Sequence, residues 1–247
     1  MAACSVHNRS FSSLALPGAQ LANLESLGYL EMTDIQAAAL PQALAGMDLI
    51  GQAKTGSGKT AAFALPLLTR LNPRDFGTQA LILCPTRELA SQVASEIRRL
   101  ARYQPNIKVV TLCGGQAIGP QIGSLEHGAH VVVGTPGRIK DHLRKETLSL
   151  QRVNTLVLDE ADRMLEMGFI ADIEAIIAAR SAGGPFADLF ATYPENIRLL
   201  SSRFQHAPQR VSVESLHSEQ HLAQRFFLCN KHERLQGLVK LLEHFQP

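Results

Sequence analysis

The chain has no tryptophan and few aromatics of any kind, with 5% of its 247 residues Phe or Tyr. Packing is therefore left to aliphatic side chains. There are four cysteines, Cys4, Cys84, Cys113 and Cys229, and no CxxC pair among them. That spacing excludes a disulfide framework or a cysteine-rich zinc site and suits a reducing, cytoplasmic setting. No apolar run is long enough to span a bilayer, so no membrane partner is expected. The opening MAACSVHNRS lacks the apolar stretch of a signal peptide. The net charge of +2 excludes a general polycation, so any surface for nucleic acid must be local. Two basic clusters qualify: Arg98, Arg99 and Arg102, and then Arg138, Lys140, Arg144 and Lys145. On charge alone each reads as a solvated helix face.

Hydrophobic residues make up 45% of the chain, enough for a sizeable core. The length fits one large domain, or one domain and part of another. Short apolar runs recur: DLIG (48–51), ALIL (80–83), KVVTL (108–112), HVVVG (130–134), TLVLD (155–159) and VSV (211–213). Helical patterns lie between them near 59–71, 87–101, 117–126, 137–145 and 170–180. Strands apolar on both faces and separated by helices predict an α/β fold, a parallel sheet covered on both sides. Ligands of such sheets bind at the carboxyl ends of the strands. Two shorter helices come first. Gly28 ends one that carries Leu21, Leu24 and Leu27; Asp34 is expected to cap the next, which Gly46 ends.

AKTGSGKT (53–60) is the most informative stretch. It follows a strand candidate and opens a helix, the context of a phosphate-binding loop. Gly56 and Gly58 have no Cβ to keep backbone N–H groups from phosphate oxygens. Thr55 and Ser57 complete the loop, Lys59 supplies a charge for the outer phosphates, and Thr60 a hydroxyl for Mg²⁺. The strict pattern has Gly where this chain has Ala53. A second motif, TLVLDEAD (155–162), is a buried strand running into acids. Asp159 at its end can hold Mg²⁺ through water, and Glu160 can orient or deprotonate an attacking water. Taken alone, an Asp-Glu pair after a strand is more often a helix cap.

Together AKTGSGKT and the DEAD of 159–162 resemble the DEAD-box family of ATP-dependent RNA helicases. The resemblance implies a RecA-like P-loop NTPase domain that uses ATP and Mg²⁺ and acts on RNA; a monomer is expected. GYLEMTDIQ (28–36) resembles the family's adenine-reading segment, which implies that Gln36 bonds adenine and Phe11 stacks on it. The family usually has Pro where Asp34 stands. PTRELA (85–90), Gly114-Gly115 and TPGR (135–138) match its RNA-backbone motifs, implying contacts from Arg87, Gly115, Thr135, Gly137 and Arg138. Such groups hold phosphates without reading bases. Thr135-Pro136-Gly137 also reads as a helix start. LCPTRELA, RRLAR and LCGGQ are most similar to a bacterial branch of the family that acts on ribosomal RNA.

The chain departs from the family in two places. A strand ending in Ser-Ala-Thr is expected after the DEAD helix, its hydroxyls coupling to Asp162. Here Ala191 and Thr192 align but Phe190 replaces the serine, and 179–188 (ARSAGGPFAD) lacks the apolar run of a central strand. A local reading-frame shift, later restored, would produce this pattern. The second departure concerns the family's second RecA-like domain. The expected organisation is a disordered 1–10, the adenine-reading region 11–46, a first RecA-like domain 47–214, a linker 215–224, and the start of a second domain at 225–247. No arginine-rich HRxGR stretch is present, so the 247 residues read as a truncated nucleotide-binding lobe. Three alternatives stand beside that reading: a non-catalytic RNA- or ATP-binding module, a non-functional truncated product, and another P-loop class such as a GTPase or an ABC-type ATPase. The Gln36 region and the lack of an NKxD sequence argue against guanine. A terminal stretch of this size buries no core of its own, so Phe226, Phe227 and Leu228 are expected to be exposed. Limited proteolysis is expected to cut between 214 and 225, and a resistant tail would oppose that organisation.

Overall fold

Seven short strands build the main sheet: β1 (Leu49–Gln52), β2 (Ala80–Leu83), β3 (Val109–Leu112), β4 (Val131–Gly134), β5 (Thr155–Asp159), β6 (Phe186–Phe190) and β7 (Gln209–Ser212). Their order is β3-β4-β2-β5-β6-β1-β7, and every pairing is parallel. The computed structural model describes residues 9–53, 56–180, 186–190, 205, 207–213, 227–230 and 232–245. The chain divides into two compact units, Met1–Glu214 and Ser215–Pro247.

Among the described residues, eight α-helices of the first unit surround this sheet: α1 (Gly18–Ser26), α2 (Asp34–Leu44), α3 (Lys59–Arg70), α4 (Arg87–Leu100), α5 (Ile118–Leu125), α6 (Pro136–Arg144), α7 (Ala161–Glu166) and α8 (Ile170–Ala178). The period-2 geometry of a strand decides which helices each residue meets. Ala80, Ile82, Val131 and Val133 join the cluster of α3 and α4, with Phe63, Leu67, Val93 and Ile97. Their neighbours Leu81, Leu83 and Val132 join the opposite cluster of α6 and α8, with Ile139, Ile173 and Ile176. β2 and β4 are buried at every position, which is why their sequences read as unbroken apolar runs. Among the described residues of the second unit, Arg234–Phe245 form a helix, α9, and the Phe227 and Phe245 rings lie 6.0 Å apart. Phe227 and Leu228 are exposed. Among the described residues no helix is long and apolar enough to cross a membrane.

Three details differ from the sequence reading. β6 runs between β5 and β1, in register Asp188↔Ile50 and Asp188↔Leu158. The sequence at 179–188 argued against a strand there. Two parallel neighbours with open backbone groups outweigh weak local propensity, because an unpaired central ladder costs more than an unsuitable residue. The linker, Thr192 and most of the departure segment lie outside the described residues. The cap of α2 is Thr33, and Asp34 is the first helical residue. Asp34 instead forms an ion pair with Arg9 at 2.5 Å. Thr135 precedes α6 as expected, with Pro136 in the first turn. Its hydroxyl caps nothing in its own helix and accepts the Gly114 N–H at 3.4 Å.

Gly134 ends β4 opposite Leu112. A Cβ there would collide with the Leu112 carbonyl oxygen and stand 2.9 Å from Ile139 Cδ1. Gly134→Ala is expected to cost about 2 kcal/mol as overpacking against backbone. Urea unfolding measures this, and an unchanged midpoint would mean that β3 gives way freely.

Candidate functional site

Two groups of side chains gather at the carboxyl ends of the strands. The first follows β1 and β5, which flank β6. The loop after β1 turns through Gly56 (φ 80°) and Gly58 (φ 92°), both left-handed. That conformation is nearly free for glycine and strained for other residues. Among the described residues a Cβ at Gly56 would meet nothing within 4 Å, whereas one at Gly58 would strike Gln36 Nε2. Thr55 lies outside the described residues. Lys59 starts α3 and is 7% exposed. Its ammonium donates to the Ala53 carbonyl at 2.8 Å, so the departure from Gly at position 53 leaves this backbone contact intact. Thr60 is half-buried beside it. Ser57 Oγ is buried with no hydrogen-bond partner among the described residues.

Gln36, 2% exposed, braces this loop from outside. Its Oε1 accepts the Thr33 N–H at 3.0 Å, and its Nε2 donates to the Gly58 carbonyl at 3.0 Å. The sequence reading gave Gln36 to adenine and missed the brace, because the residues it joins are 22 positions apart. Phe11 is 4% exposed and meets Tyr29 edge to face, centroids 6.1 Å apart. Its ring is packed in the core beside α1 and α2.

Asp159 ends β5 and is 4% exposed. Burial, opposed by the nearby Lys59 charge and reinforced by Glu160, pushes its carboxyl up to about 6. Burial also raises the Cys84 thiol, and the Asp159 charge adds to the effect. Glu160 takes a left-handed backbone (φ 53°) before α7, an uncommon state for a residue with a Cβ. Its carboxylate pairs with Arg163 at 3.4 Å. Asp162 lies in the first turn of α7; Thr192, its expected coupling partner, is outside the described residues.

The second group joins the loops after β2, β3 and β4. Arg87, the first residue of α4, lies across Gly115: a Cβ there would be 2.6 Å from Arg87 Nη1. Gly115 is left-handed as well (φ 73°). Arg138 Nη2 donates to the Gln116 carbonyl at 2.8 Å. Its Nη1 is buried with no hydrogen-bond partner among the described residues. Thr135 reaches Gly114 as described, and Gly137 follows in the first turn of α6. All five residues assigned to RNA therefore border residues 114–116 or the start of α6. A buried polar chain supports them. Gln121 donates to the Cys113 carbonyl at 3.0 Å, and His142 reaches Gln121 Oε1 at 3.4 Å. Burial lowers the His142 pKa. Neither residue was singled out in the sequence, where each reads as an ordinary polar position on a helix. The other basic cluster is partly structural, since Arg98 donates to the Val109 carbonyl at 2.9 Å and Arg99 pairs with Glu96.

Residues 33–200 match the profile described as DEAD/DEAH box helicase. The chain is 52% identical over 239 residues to the ATP-dependent RNA helicase DbpA of Escherichia coli strain K12, covering 96% of this chain and 52% of that protein. It is 42% identical over 239 residues to the DEAD-box ATP-dependent RNA helicase CshA of Bacillus cereus, covering 96% and 45%. A crystal structure of a DEAD box protein from the hyperthermophile Methanococcus jannaschii superposes with a TM-score of 0.81 at 39% identity, covering 96% of this chain and 64% of that one. The chain thus spans about half the length of the curated relatives it matches. It belongs to the DEAD/DEAH box helicase family.

Asp159 yields a prediction whose sign is fixed. Its folded pKa, about 6, stands above the ordinary 3.8. The stability it supports is full below the ordinary value and falls as pH rises through about 6, by on the order of 3 kcal/mol. Asp159→Asn is expected to melt higher than the parent at pH 7.5 and level with it near pH 4. No gain at pH 7.5 would mean that Lys59 already offsets the buried charge.

Proposed function

We propose that this family member is the nucleotide-binding lobe of an ATP-dependent RNA helicase. In this reading ATP and Mg²⁺ sit at the ends of β1 and β5, and the RNA backbone lies across the ends of β2, β3 and β4. The observation that carries it is the placement of Lys59, at the start of the helix that follows β1, and Asp159, at the end of β5, beside the two strands that flank β6, each buried, with Lys59 acting on the Asp159 carboxyl. The relatives' names supply ATP and RNA as the ligands.

The residues present fit the nucleotide and the cation. Gly56 and Gly58 give a loop free of Cβ atoms, Ser57 holds a buried hydroxyl in search of a partner, and Asp159 is a buried acid that a cation would stabilise as its anion. Thr60 and Asp159 would hold Mg²⁺, Asp159 in part through water. The bound cation neutralises phosphate charge and polarises the terminal phosphoryl group. Lys59 exchanges the Ala53 carbonyl for phosphate oxygens. Glu160 orients the attacking water and takes its proton. Gln36 keeps Gly58 in place and offers its amide to adenine, with Phe11 nearby. Asp162 and Thr192 carry the change at the phosphates toward the RNA side. Arg87, Gly115, Thr135, Gly137 and Arg138 hold RNA phosphates and sugars. Ribosomal RNA as substrate, a part in ribosome biogenesis, a monomeric state and a cytoplasmic setting belong to the same reading; similarity to DbpA and the free Cys84, Cys113 and Cys229 support it.

The 247 residues carry no HRxGR stretch, and an arginine finger is worth about 10³–10⁵ in rate. This polypeptide by itself is therefore expected to bind nucleotide and RNA weakly, to hydrolyse ATP slowly and to unwind little. The test is ATP hydrolysis and labelled-ATP binding with Mg²⁺, with and without RNA, beside Lys59→Ala. Nucleotide binding lost in the variant is the expected result. Binding without any turnover would favour a non-catalytic module, and binding unchanged in Lys59→Ala would overturn the site.

A further inference from the structure

The basic residues of α6 are largely matched by groups of the chain itself. Arg144 pairs with Asp141 at 3.2 Å within the helix, and Lys140 pairs with Asp172, which lies in the first turn of α8. Asp172 does more than neutralise a lysine. Its Oδ1 meets Lys140 Nζ, and its Oδ2 stands 3.6 Å from where a Cβ would lie on Gly137. One carboxylate thus borders Gly137 and Lys140 together, on one face of α6 and beside its N-terminal turn. A helix N-terminus attracts an anion through its free N–H groups and dipole. In the same turn Arg138 Nη1 is a buried donor with no acceptor among the described residues.

We propose that Asp172 is a built-in anion at the RNA-phosphate site, and that Lys140 is a phosphate ligand it holds in reserve. This inference rests on the reading of Gly137 and Arg138 as RNA-backbone contacts. A phosphate arriving at the start of α6 meets the Asp172 carboxylate and competes with it for Lys140. The Lys140 and Asp172 side chains are 49% and 21% exposed. A pair that open to water is weak enough for a phosphate to displace. Asp172 thereby lowers RNA affinity and eases release, and its removal frees one more cation for the backbone. Sequence spacing conceals the arrangement, because the two residues are 32 positions apart.

The experiment is fluorescence anisotropy of a labelled oligouridine RNA of about ten nucleotides, titrated with the full chain at several NaCl concentrations. Asp172→Asn is expected to bind about three- to tenfold tighter at low salt, with a log–log salt slope steeper by about 0.7, the value of one added phosphate contact on a single strand. Lys140→Gln alone is expected to bind about two- to threefold more weakly than the parent, because it removes the reserve cation and leaves the Asp172 carboxylate unpaired beside the phosphate. The double variant should lose the steeper slope. Thermal melting of each variant accompanies the titrations, and Asp172→Ala replaces the Asn variant if that one melts early, with the same expectation. Equal or weaker binding by a normally melting Asp172 variant overturns the inference, as does a steeper slope that survives in the double variant. Arg138→Ala separates the two levels. If it loses binding while Asp172→Asn gains nothing, the RNA reading stands and the role of Asp172 falls. If the parent chain shows no binding, both fall.

Discussion

The Gln36 amide ties the start of α2 to the glycine loop that follows β1. One side of it accepts from Thr33 at the start of α2; the other donates to Gly58 at the end of the phosphate loop. Both partners are backbone groups at element ends, where helices leave N–H and C=O groups unsatisfied. A nearly fully buried amide that lost either partner would carry a desolvation cost of about 1–3 kcal/mol. The brace also explains the glycine it touches, since any side chain at position 58 would occupy the space of the Gln36 amide. The loop's shape is therefore set by α2 as much as by its own glycines.

The acid across the sheet shows the opposite economy. Asp159 is buried at the end of β5, where its charge is disfavoured and its carboxyl pushed up to about 6. Such a group weakens the fold at neutral pH and is suited to receive a cation, a compromise expected where a site is preorganised for charge. Lys59 offsets part of the cost and forms its own bond to Ala53 meanwhile. The second group of loops follows the same logic with the signs reversed. Arg87 lies over a glycine, Arg138 is half satisfied, and Lys140 is held by Asp172. In the proposed reading, cations that would meet phosphate are kept in position by weak partners from the chain itself.

Much of this was legible in the residues. AKTGSGKT, DEAD, PTRELA and TPGR each sit where a strand ends, and five of the six apolar runs form strands close to where the hydrophobic pattern places them. VSV is the partial exception: it contributes to an edge strand that begins earlier, at Gln209, where pairing with β1 on one side only leaves the boundary to the partner. The segment around Asp188 was the main failure of local reasoning. Its glycines, proline and acid oppose a strand, yet its place between β5 and β1 supplies backbone partners on both sides. Asp34 was another: an acid at a helix start reads as a cap, but Thr33 holds that position and Asp34 turns to Arg9.

The sequence by itself determined the class of fold, the order of its elements and the chemical character of the site, because period, glycine placement and charge at strand ends are local properties. Only the tertiary structure decided which groups meet. That Gln36 braces Gly58, that Arg87 crosses Gly115 and that Asp172 stands against both Gly137 and Lys140 depend on strand order and helix packing. Those bring together residues that are 22 to 35 positions apart in the chain, held on helices and loops that follow different strands of one sheet. Hydrogen bonds and ion pairs act over a few ångströms, so their partners are set by where the chain returns in space, which no local pattern records.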